Sequence, residues 1–422
     1  MADIICPGPL LDCKTGAMNN EKLNGILTEN GILSEVIGVK VDMEPELPAH
    51  FTSICQFVTV QFSNKSQEND LELFVKKLKD NAEIKEDDDY SLFEKESNVY
   101  TQVMPALRDF CESRLGSTKL LDMFPKVFYV GEQEIIMENL VKHNYVMLDR
   151  TKRHSFHEAR LVVSHLARFH SASYALIQNI GLEVFKKRFP HTRERMMNRD
   201  GIGANINTLM IDSILTKLCC LLKNSNIKGS SSAYKRLEKY TSKAFSSMCD
   251  VVEETHLLYV LNHGDLWNNN ILFYQDSNSN LTHLKFVDLQ MNRVGSPNMD
   301  VGYYFYNSLK PQVRRKHITS LLRLYYEEFK LRAKELKATV DFTFQEFLQD
   351  YGRISKLGFI FGVYIAAASP LIGKVDLENS KNWIEDFVSA ISQWLDNNPR
   401  ERDGVLQEII AMTQDFLLLG DL

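Results

Sequence analysis

The stretch "HGDLWNNNILFYQDSNSNLTHLKFVDLQ", residues 263–290, carries two aspartates and a crowd of asparagines around two β-like runs. "ILFYQ" and "HLKFVDL" are apolar or alternating, and "DSNSN" between them is a turn signal, so the segment predicts a hairpin. With the turn centred near Ser279, position 270 lies opposite position 288. The start of one strand and the end of the next then share one end of the hairpin, and Asn270 and Asp288 offer oxygen ligands to one point. Hard Mg²⁺ takes such oxygens, usually with phosphates and water. Asp265 precedes the first strand on a loop, within reach of a substrate hydroxyl proton. Turn formation alone would account for scattered Asp and Asn; this spacing suits phosphoryl transfer, where positioning and charge neutralisation supply most of the catalysis.

Bulk properties leave room for that chemistry. The chain has 422 residues, 44% hydrophobic and 25% charged, an ordinary globular balance, and its length suggests more than one unit. A net charge of −6 gives no electrostatic reason to expect nucleic acid. No basic start or long apolar run marks the N-terminus as a signal peptide. "LGFIFGVYIAAASPLI", residues 357–372, is too short for a bilayer span and reads as a buried helix. Seven cysteines without regular spacing favour reduced thiols and a cytoplasmic setting.

Along the chain, residues 1–40 read as a leader with a short helix around "NEKLNGILTENG". Strands follow at 54–62 and 70–78, then the acidic run "EIKEDDDY" as a solvated loop. "SLFEKESNVYTQVM" reads as a helix ended by Pro105. Short strands fit 126–131 and 134–140. From about residue 155 the periodicity is helical, interrupted only by the hairpin. Several decoys fail on context. "GPLLDCKT" at 8–15 lacks the second glycine of a phosphate loop, and "GIG" at 201–203 has no strand–turn–helix frame. His154, His157, His165 and His170 do not converge: on a helix His157 and His165 differ by about 80°, and His165 and His170 by about 140°.

His263-Gly264-Asp265, four residues, Asn270, and then Asp288-Leu289-Gln290 follow the spacing of the kinase catalytic and metal motifs. "HGDLWNNNIL" with "VDLQMNRVGSPNMDVGYYFY" resembles the choline kinase and aminoglycoside phosphotransferase group. Together with "HLARFHSAS" and the closing "ERDGVLQEIIAMTQDFLLLG", it most closely resembles the ecdysteroid kinase-like (CHK kinase-like) family, over roughly residue 20 to the end. The resemblance implies an α+β, two-lobe protein kinase-like fold: a small β-rich nucleotide-binding N-lobe, 1–140, and a larger, mainly helical C-lobe, 141–422, with the catalytic loop and acceptor site. It implies ATP and Mg²⁺ as cofactors, Asp265 as the catalytic residue, and Asn270 and Asp288 as metal ligands.

The N-lobe should supply a lysine for the phosphates and a glutamate to hold it. Glu96 falls on the apolar face with Leu92, Val99, Tyr100 and Val103, and a carboxylate there needs a charged partner. Periodicity cannot choose between Lys76 and Lys77; the resemblance selects Lys76. It also places the Glu138 carbonyl and the Leu140 amide of "IIMENL" against adenine, and it counts Asp300 as a brace for the catalytic loop. Two departures stand out. "ELPAHFTSIC" at 46–55 occupies the place of a glycine-rich loop, leaving Ser53 and nearby amides to hold phosphate, and Gln290 replaces the glycine of D-F-G. The expectation is an ATP-dependent small-molecule kinase acting on an alcohol, steroid-like by the resemblance, monomeric, with neither nucleic-acid partner nor membrane span. The rivals are a catalytically silent nucleotide-binding or scaffold protein, and a protein kinase. "HGD" in place of "HRD" and the lack of an "APE" segment speak against the latter.

Overall fold

The structure is a computed structural model that describes residues 19–32, 35–42, 53–64, 67–78, 92–149, 152–201, 204–372, 374–375, 380 and 382–420. The sequence segments at 8–15 and 83–90, and residues 46–52 of the glycine-poor loop, lie outside these.

Five antiparallel strands form the N-terminal sheet: β1 (Glu35–Asp42), β2 (Ser53–Asn64), β3 (Gln67–Leu78), β4 (Val127–Val130) and β5 (Glu134–Glu138), in the order β1-β2-β3-β5-β4. β1 is an addition to the expected elements. Its "EVIGVKVD" falls largely in the expected leader, 1–40, yet it forms an edge strand through pairing with β2, a long-range contact that local pattern alone does not report. Helix α1 (Asn20–Glu29) packs Leu23, Ile26 and Leu27 against Val58, Val60, Leu73, Val75 and Ile136 on one face of the sheet. The opposite face carries Phe74, Ile135 and Met137 into a second core with Phe93, Val99 and Val103. Side chains alternate between the two faces along each strand, so each face reads one parity of the sequence.

The helix expected to stop at Pro105 runs on. α2 (Leu92–Asn98) passes through a π-helical turn, Val99–Val103, into α3 (Met104–Leu115). The Met104 amide bonds to Val99 O, one residue further back than in an α-helix. Widening the turn accommodates a proline that lacks an N–H and would crowd the preceding turn.

The C-terminal part is helical, as read from the sequence: α4 (Phe156–Ile180), α5 (Leu182–Arg188), α6 (Ala204–Lys223), α7 (Ser230–Leu237), α8 (Ala244–Glu253), α9 (Asn298–Ser308), α10 (Pro311–Glu335), α11 (Phe344–Ile354), α12 (Lys356–Ala368), α13 (Trp383–Asn397) and α14 (Pro399–Gly420). α4 packs along α10, and α9 and α12 cross so closely that a Cβ on Gly358 would lie 2.3 Å from the Gly302 carbonyl carbon. Among the described residues one helix, α6, is long and apolar enough to cross a membrane by length and composition. Its Ile211, Ile214, Leu215, Leu218 and Leu222 are buried in the helical core. α12 is the buried helix expected from 357–372.

Two small sheets of short strands are set among these helices. β6 (Tyr145–Met147) pairs with β8 (Ile271–Gln275), which pairs with β9 (Leu281–Phe286); β7 (Val260–Asn262) pairs with β10 (Arg293–Gly295). The expected hairpin is therefore β8–β9, with one correction. Its ladder runs Ile271↔Phe286 to Tyr274↔His283, then shifts by one at a bulge before Gln275↔Leu281. Asn270 consequently faces Val287, whose amide donates to Asn270 O at 3.1 Å, and not Asp288. The result is an α+β, two-lobe protein kinase-like architecture, β-rich first and helical after.

Candidate active site

The catalytic segment leaves β7 through Gly264, whose φ of +90° is a conformation that side-chain-bearing residues rarely adopt. Space adds a second demand, since a Cβ there would lie 1.8 Å from Met291 O. The two amides flanking this turn are held by one buried carboxylate. Asp300, in the first turn of α9, accepts from His263 N at 2.6 Å and Gly264 N at 2.9 Å, and its Oδ2 lies 3.2 Å from His170 Nε2. Burial pushes the Asp300 carboxyl up, but His170, His263 and the Gly264 amide outweigh it and hold it below the usual range. The His263 ring has a defined tautomer. Nδ1 accepts from the Asp265 amide (3.3 Å), so Nε2 carries the proton and donates to Val287 O (2.9 Å), tying the loop to the strand end before Asp288.

Asp265 is thereby pointed at two polar neighbours. Tyr303, one turn after Asp300 on α9, donates its hydroxyl to Asp265 Oδ1 at 2.6 Å. Asn270 Nδ2 donates to Asp265 Oδ2 at 3.0 Å and to Asp265 O at 2.8 Å. Burial raises the Asp265 pKa; the bond from Tyr303 opposes this, and the nearby charge of Asp288 adds to it. A carboxylate with a raised pKa is better matched to accepting a proton near neutrality.

The other half of the site assembles around Lys76. Its Nζ lies 2.6 Å from Glu96 Oε2 and 3.0 Å from Asp288 Oδ1, joining β3, α2 and the segment after β9. Burial disfavours the ammonium charge, yet Asp288 and Glu96 outweigh it and hold the Lys76 pKa above its ordinary value. Glu96, 1% exposed, also accepts from the Leu289 amide at 3.3 Å. Asp288 takes a left-handed conformation (φ 67°, ψ 70°), which turns it out of the β-ladder toward Lys76. The choice between the lysines follows from strand parity. Lys76, opposite Ile135, faces α2, whereas Lys77, opposite Glu134, shares the α1 face with Lys22 and lies 4.0 Å from Glu134.

The donor set fits a hard cation. Asn270 uses its amide nitrogen on Asp265, leaving Oδ1 as its acceptor atom, and Asp288 supplies carboxylate oxygen. Glu96 and Asp288 both contact the Lys76 ammonium, and Asp265 lies close enough to Asp288 to feel its charge, an acidic grouping whose oxygens suit a divalent ion. Ser53 is buried at the start of β2 opposite Leu78, two residues before Cys55, the partner of Lys76, so it shares the Lys76 face of the sheet. Glu138 and Leu140 lie at the crossing from the N-terminal sheet to the helical part. The Glu138 side chain accepts from Lys126 N (2.8 Å) and lies 3.5 Å from Lys285 Nζ, while Leu140 opens a short 3₁₀ helix capped by Asn139.

Sequence reasoning missed Tyr303, His170 and Arg293. Arg293 donates to Gly264 O at 2.7 Å and pairs with half-buried Glu194, whose carboxyl is held at about 2 because Arg293 and Lys95 outweigh desolvation. Tyr303 had a usable signal, its spacing of three from Asp300 on one helix. For His170 and Arg293 the partners are distant in sequence, and no local pattern reveals them.

Among solved structures, an ethanolamine kinase of Plasmodium vivax matches with 11% identity and a TM-score of 0.38, over 84% of this chain and 81% of that one. A choline/ethanolamine kinase family protein from Mesorhizobium loti matches with 10% identity and a TM-score of 0.35, over 93% and 98%. An amicoumacin kinase in complex with AMP-PNP, Ca²⁺ and Ami matches with 9% identity and a TM-score of 0.35, over 90% and 96%. No curated protein matches significantly. The profile of the Ecdysteroid kinase-like family matches residues 48–338, more than half of the chain, from before Ser53 through Lys76, Glu96, Asp265 and Asp288 to beyond Asp300. The chain belongs to the Ecdysteroid kinase-like family.

Proposed function

We propose that the protein transfers the γ-phosphate of ATP to a hydroxyl of a small molecule, and that this acceptor is a steroid-like alcohol. The observation that carries the phosphotransfer reading is the placement of Lys76 between Glu96 and Asp288, with Asp265 and Asn270 joined beside it. Lys76, oriented by Glu96, clamps the phosphates, and Ser53 contributes a hydroxyl at the same face. Asn270 and Asp288 hold magnesium, which when bound neutralises charge on the phosphates. Asp265 accepts the proton of the acceptor hydroxyl and orients its oxygen for in-line attack; Tyr303 fixes the carboxylate until the acceptor arrives. The Glu138 carbonyl and Leu140 amide receive the adenine edge. The protein works as a monomer in the cytoplasm.

Support for an apolar acceptor is local to Asp265. Most of "VGYYFY" is core, since Tyr304, Phe305 and Tyr306 are all buried. Tyr303 is the exception in role, because it touches both Asp265 and Phe361 (ring centroids 5.2 Å apart). Trp267, two residues after the base, is half-buried. An aromatic margin of this kind suits a ligand with an apolar body and one reactive hydroxyl. ADP formation measured against panels of steroid alcohols, choline-like amines and aminoglycosides, with mass detection of the phosphate ester, tests both levels. A phosphorylated steroid alcohol, lost in Lys76→Ala, is the expected result. Turnover of a polycationic aminoglycoside with every steroid inert would overturn the acceptor, and ATP binding without any turnover would favour a catalytically silent protein.

A further inference from the structure

Outside the nucleotide and acceptor machinery, three metal-ligating side chains meet from distant parts of the chain. Asp122 ends a short 3₁₀ helix, Lys119–Leu121; His165 lies on α4; His283 lies on β9. One ligand atom from each lies within 4.8 Å of the others. The four histidines around α4 do not share a face, in keeping with their angular spacing; His165 instead meets a histidine from the hairpin, the two rings edge-on with centroids 4.8 Å apart.

The hydrogen bonds around the two imidazoles are those of metal ligands. His165 Nδ1 donates to Leu161 O at 2.8 Å, which puts the lone pair on Nε2. That Nε2 is buried and has no hydrogen-bond partner, in a residue only 4% exposed. A buried acceptor left unpartnered is costly and calls for an explanation. His283 presents Nε2 to Asp122 Oδ1 at 3.2 Å, while its Nδ1 lies 3.3 Å from the Tyr145 hydroxyl. Each ring is thus oriented through the nitrogen that faces away from the cluster, the arrangement that outer groups impose on metal-bound histidines. Burial pushes His165 down to about 4, so it is neutral at physiological pH.

We propose that Asp122, His165 and His283 bind a transition-metal ion of the zinc type, with two imidazole nitrogens and one carboxylate as ligands. Two histidines and a carboxylate are a borderline-soft donor set that favours Zn²⁺ over Mg²⁺ or Ca²⁺. Around a tetrahedral zinc with bonds of about 2.1 Å, ligand atoms sit roughly 3.4 Å apart, so a separation at the 4.8 Å limit closes by about 1.4 Å on binding. Asp122, exposed at the end of its short helix, is the ligand free to make that movement. The fourth position opens on a cleft of about 390 Å³ lined by Asp122, Tyr145, Tyr274, Thr282, His283 and Lys285, where water or a small anion completes the coordination. Lys285 is the neighbouring cation; its Nζ is engaged by Phe124 O at 2.8 Å and lies 3.5 Å from Glu138, which limits its repulsion of an ion.

The test uses the full chain, stripped with a chelator and titrated with Zn²⁺ alone by calorimetry, and with Co²⁺ by visible absorption. One equivalent of zinc should bind at micromolar affinity or tighter and raise the melting temperature, and cobalt should show the d–d bands of a tetrahedral site. Asp122→Asn and His283→Gln, at positions that are not fully buried, should fold like the parent and lose this binding, and Tyr145→Phe should weaken it roughly 10-fold. Asp288→Asn and Cys220→Ser should leave it intact, which separates it from the catalytic metal and from an exposed thiol. Zinc binding that is absent, or equal in the parent and the Asp122→Asn/His283→Gln double variant, would overturn the proposal.

Discussion

Lys76 and Lys77 are adjacent, equally buried at 5% exposure, and indistinguishable by any helical or strand period. Strand alternation puts them on opposite faces, but only the packing of α1 on one face and α2 on the other decides which meets Glu96 and Asp288 and which meets Glu134. Glu96, by contrast, was legible in advance, because a carboxylate on an apolar helix face requires a charged partner. Asp265→Asn should keep the fold and nucleotide binding but lower turnover by on the order of 10²–10⁴-fold, as loss of a general base does; steady-state kinetics with an accepted alcohol measure this, and near-parental turnover would remove Asp265 from the mechanism. Asp288→Ala should weaken ATP binding in the presence of Mg²⁺ while leaving metal-free binding much less affected, since the ion is the largest local charge in such a site. Calorimetry with and without Mg²⁺ decides, and an unchanged metal dependence would exclude Asp288 as a ligand.

At the scale of elements, the catalytic hairpin was readable because its strands are β-rich and its turn is polar, but its register was not. The ladder beyond the bulge at Tyr274/Gln275 sets Asn270 opposite Val287, and the left-handed Asp288, one residue further on, turns out of the ladder toward Lys76. Pro105 misled for a related reason. A proline usually ends a helix, yet the π turn at Val99–Val103 absorbs it, which keeps α2 and α3 continuous. The close crossing of α9 and α12 gives a sharp test of element packing. In Gly358→Ala the new Cβ would meet Gly302 C at 2.3 Å and Tyr303 N at 2.5 Å. Forcing volume into so tight a contact costs about 1–3 kcal/mol or more. Denaturant unfolding should show that loss, and because Tyr303 moves with α9, turnover should fall as well. A variant as stable as the parent would mean that the two helices separate at no cost.

For the whole molecule, two histidines make stability depend on mild acid. His154 and His165 are pushed by burial from the ordinary 6.5 to about 4. Between those values the unfolded chain binds protons that the folded chain refuses, so stability falls as pH drops from 6.5 toward 4 and is complete above 6.5. Each group contributes a slope of up to about 1.4 kcal/mol per pH unit in that window. Glu194, held at about 2 chiefly by Arg293 and Lys95 against burial, adds its own loss only below its ordinary 4.5. Denaturant melts of chelator-treated protein from pH 4.5 to 7 should show the decline, and His154→Gln should flatten part of it. A flat profile in the parent would mean that both rings titrate as they do in water.

The sequence by itself determined the fold class and the motif spacing at the hairpin. Strand alternation, helical period and the Asp265–Asn270–Asp288 spacing are local properties, written within about two dozen residues of one another. What only the tertiary structure decided is everything that depends on which distant segments touch. It set the parity that separates Lys76 from Lys77, the Tyr303 hydroxyl on Asp265, and the His170–Asp300 brace. It also brought His165 to His283 and Asp122, a meeting that no spacing along α4 encodes. These contacts join residues a hundred or more positions apart in several cases, and packing of whole helices and sheets, not local propensity, brings them within hydrogen-bond reach.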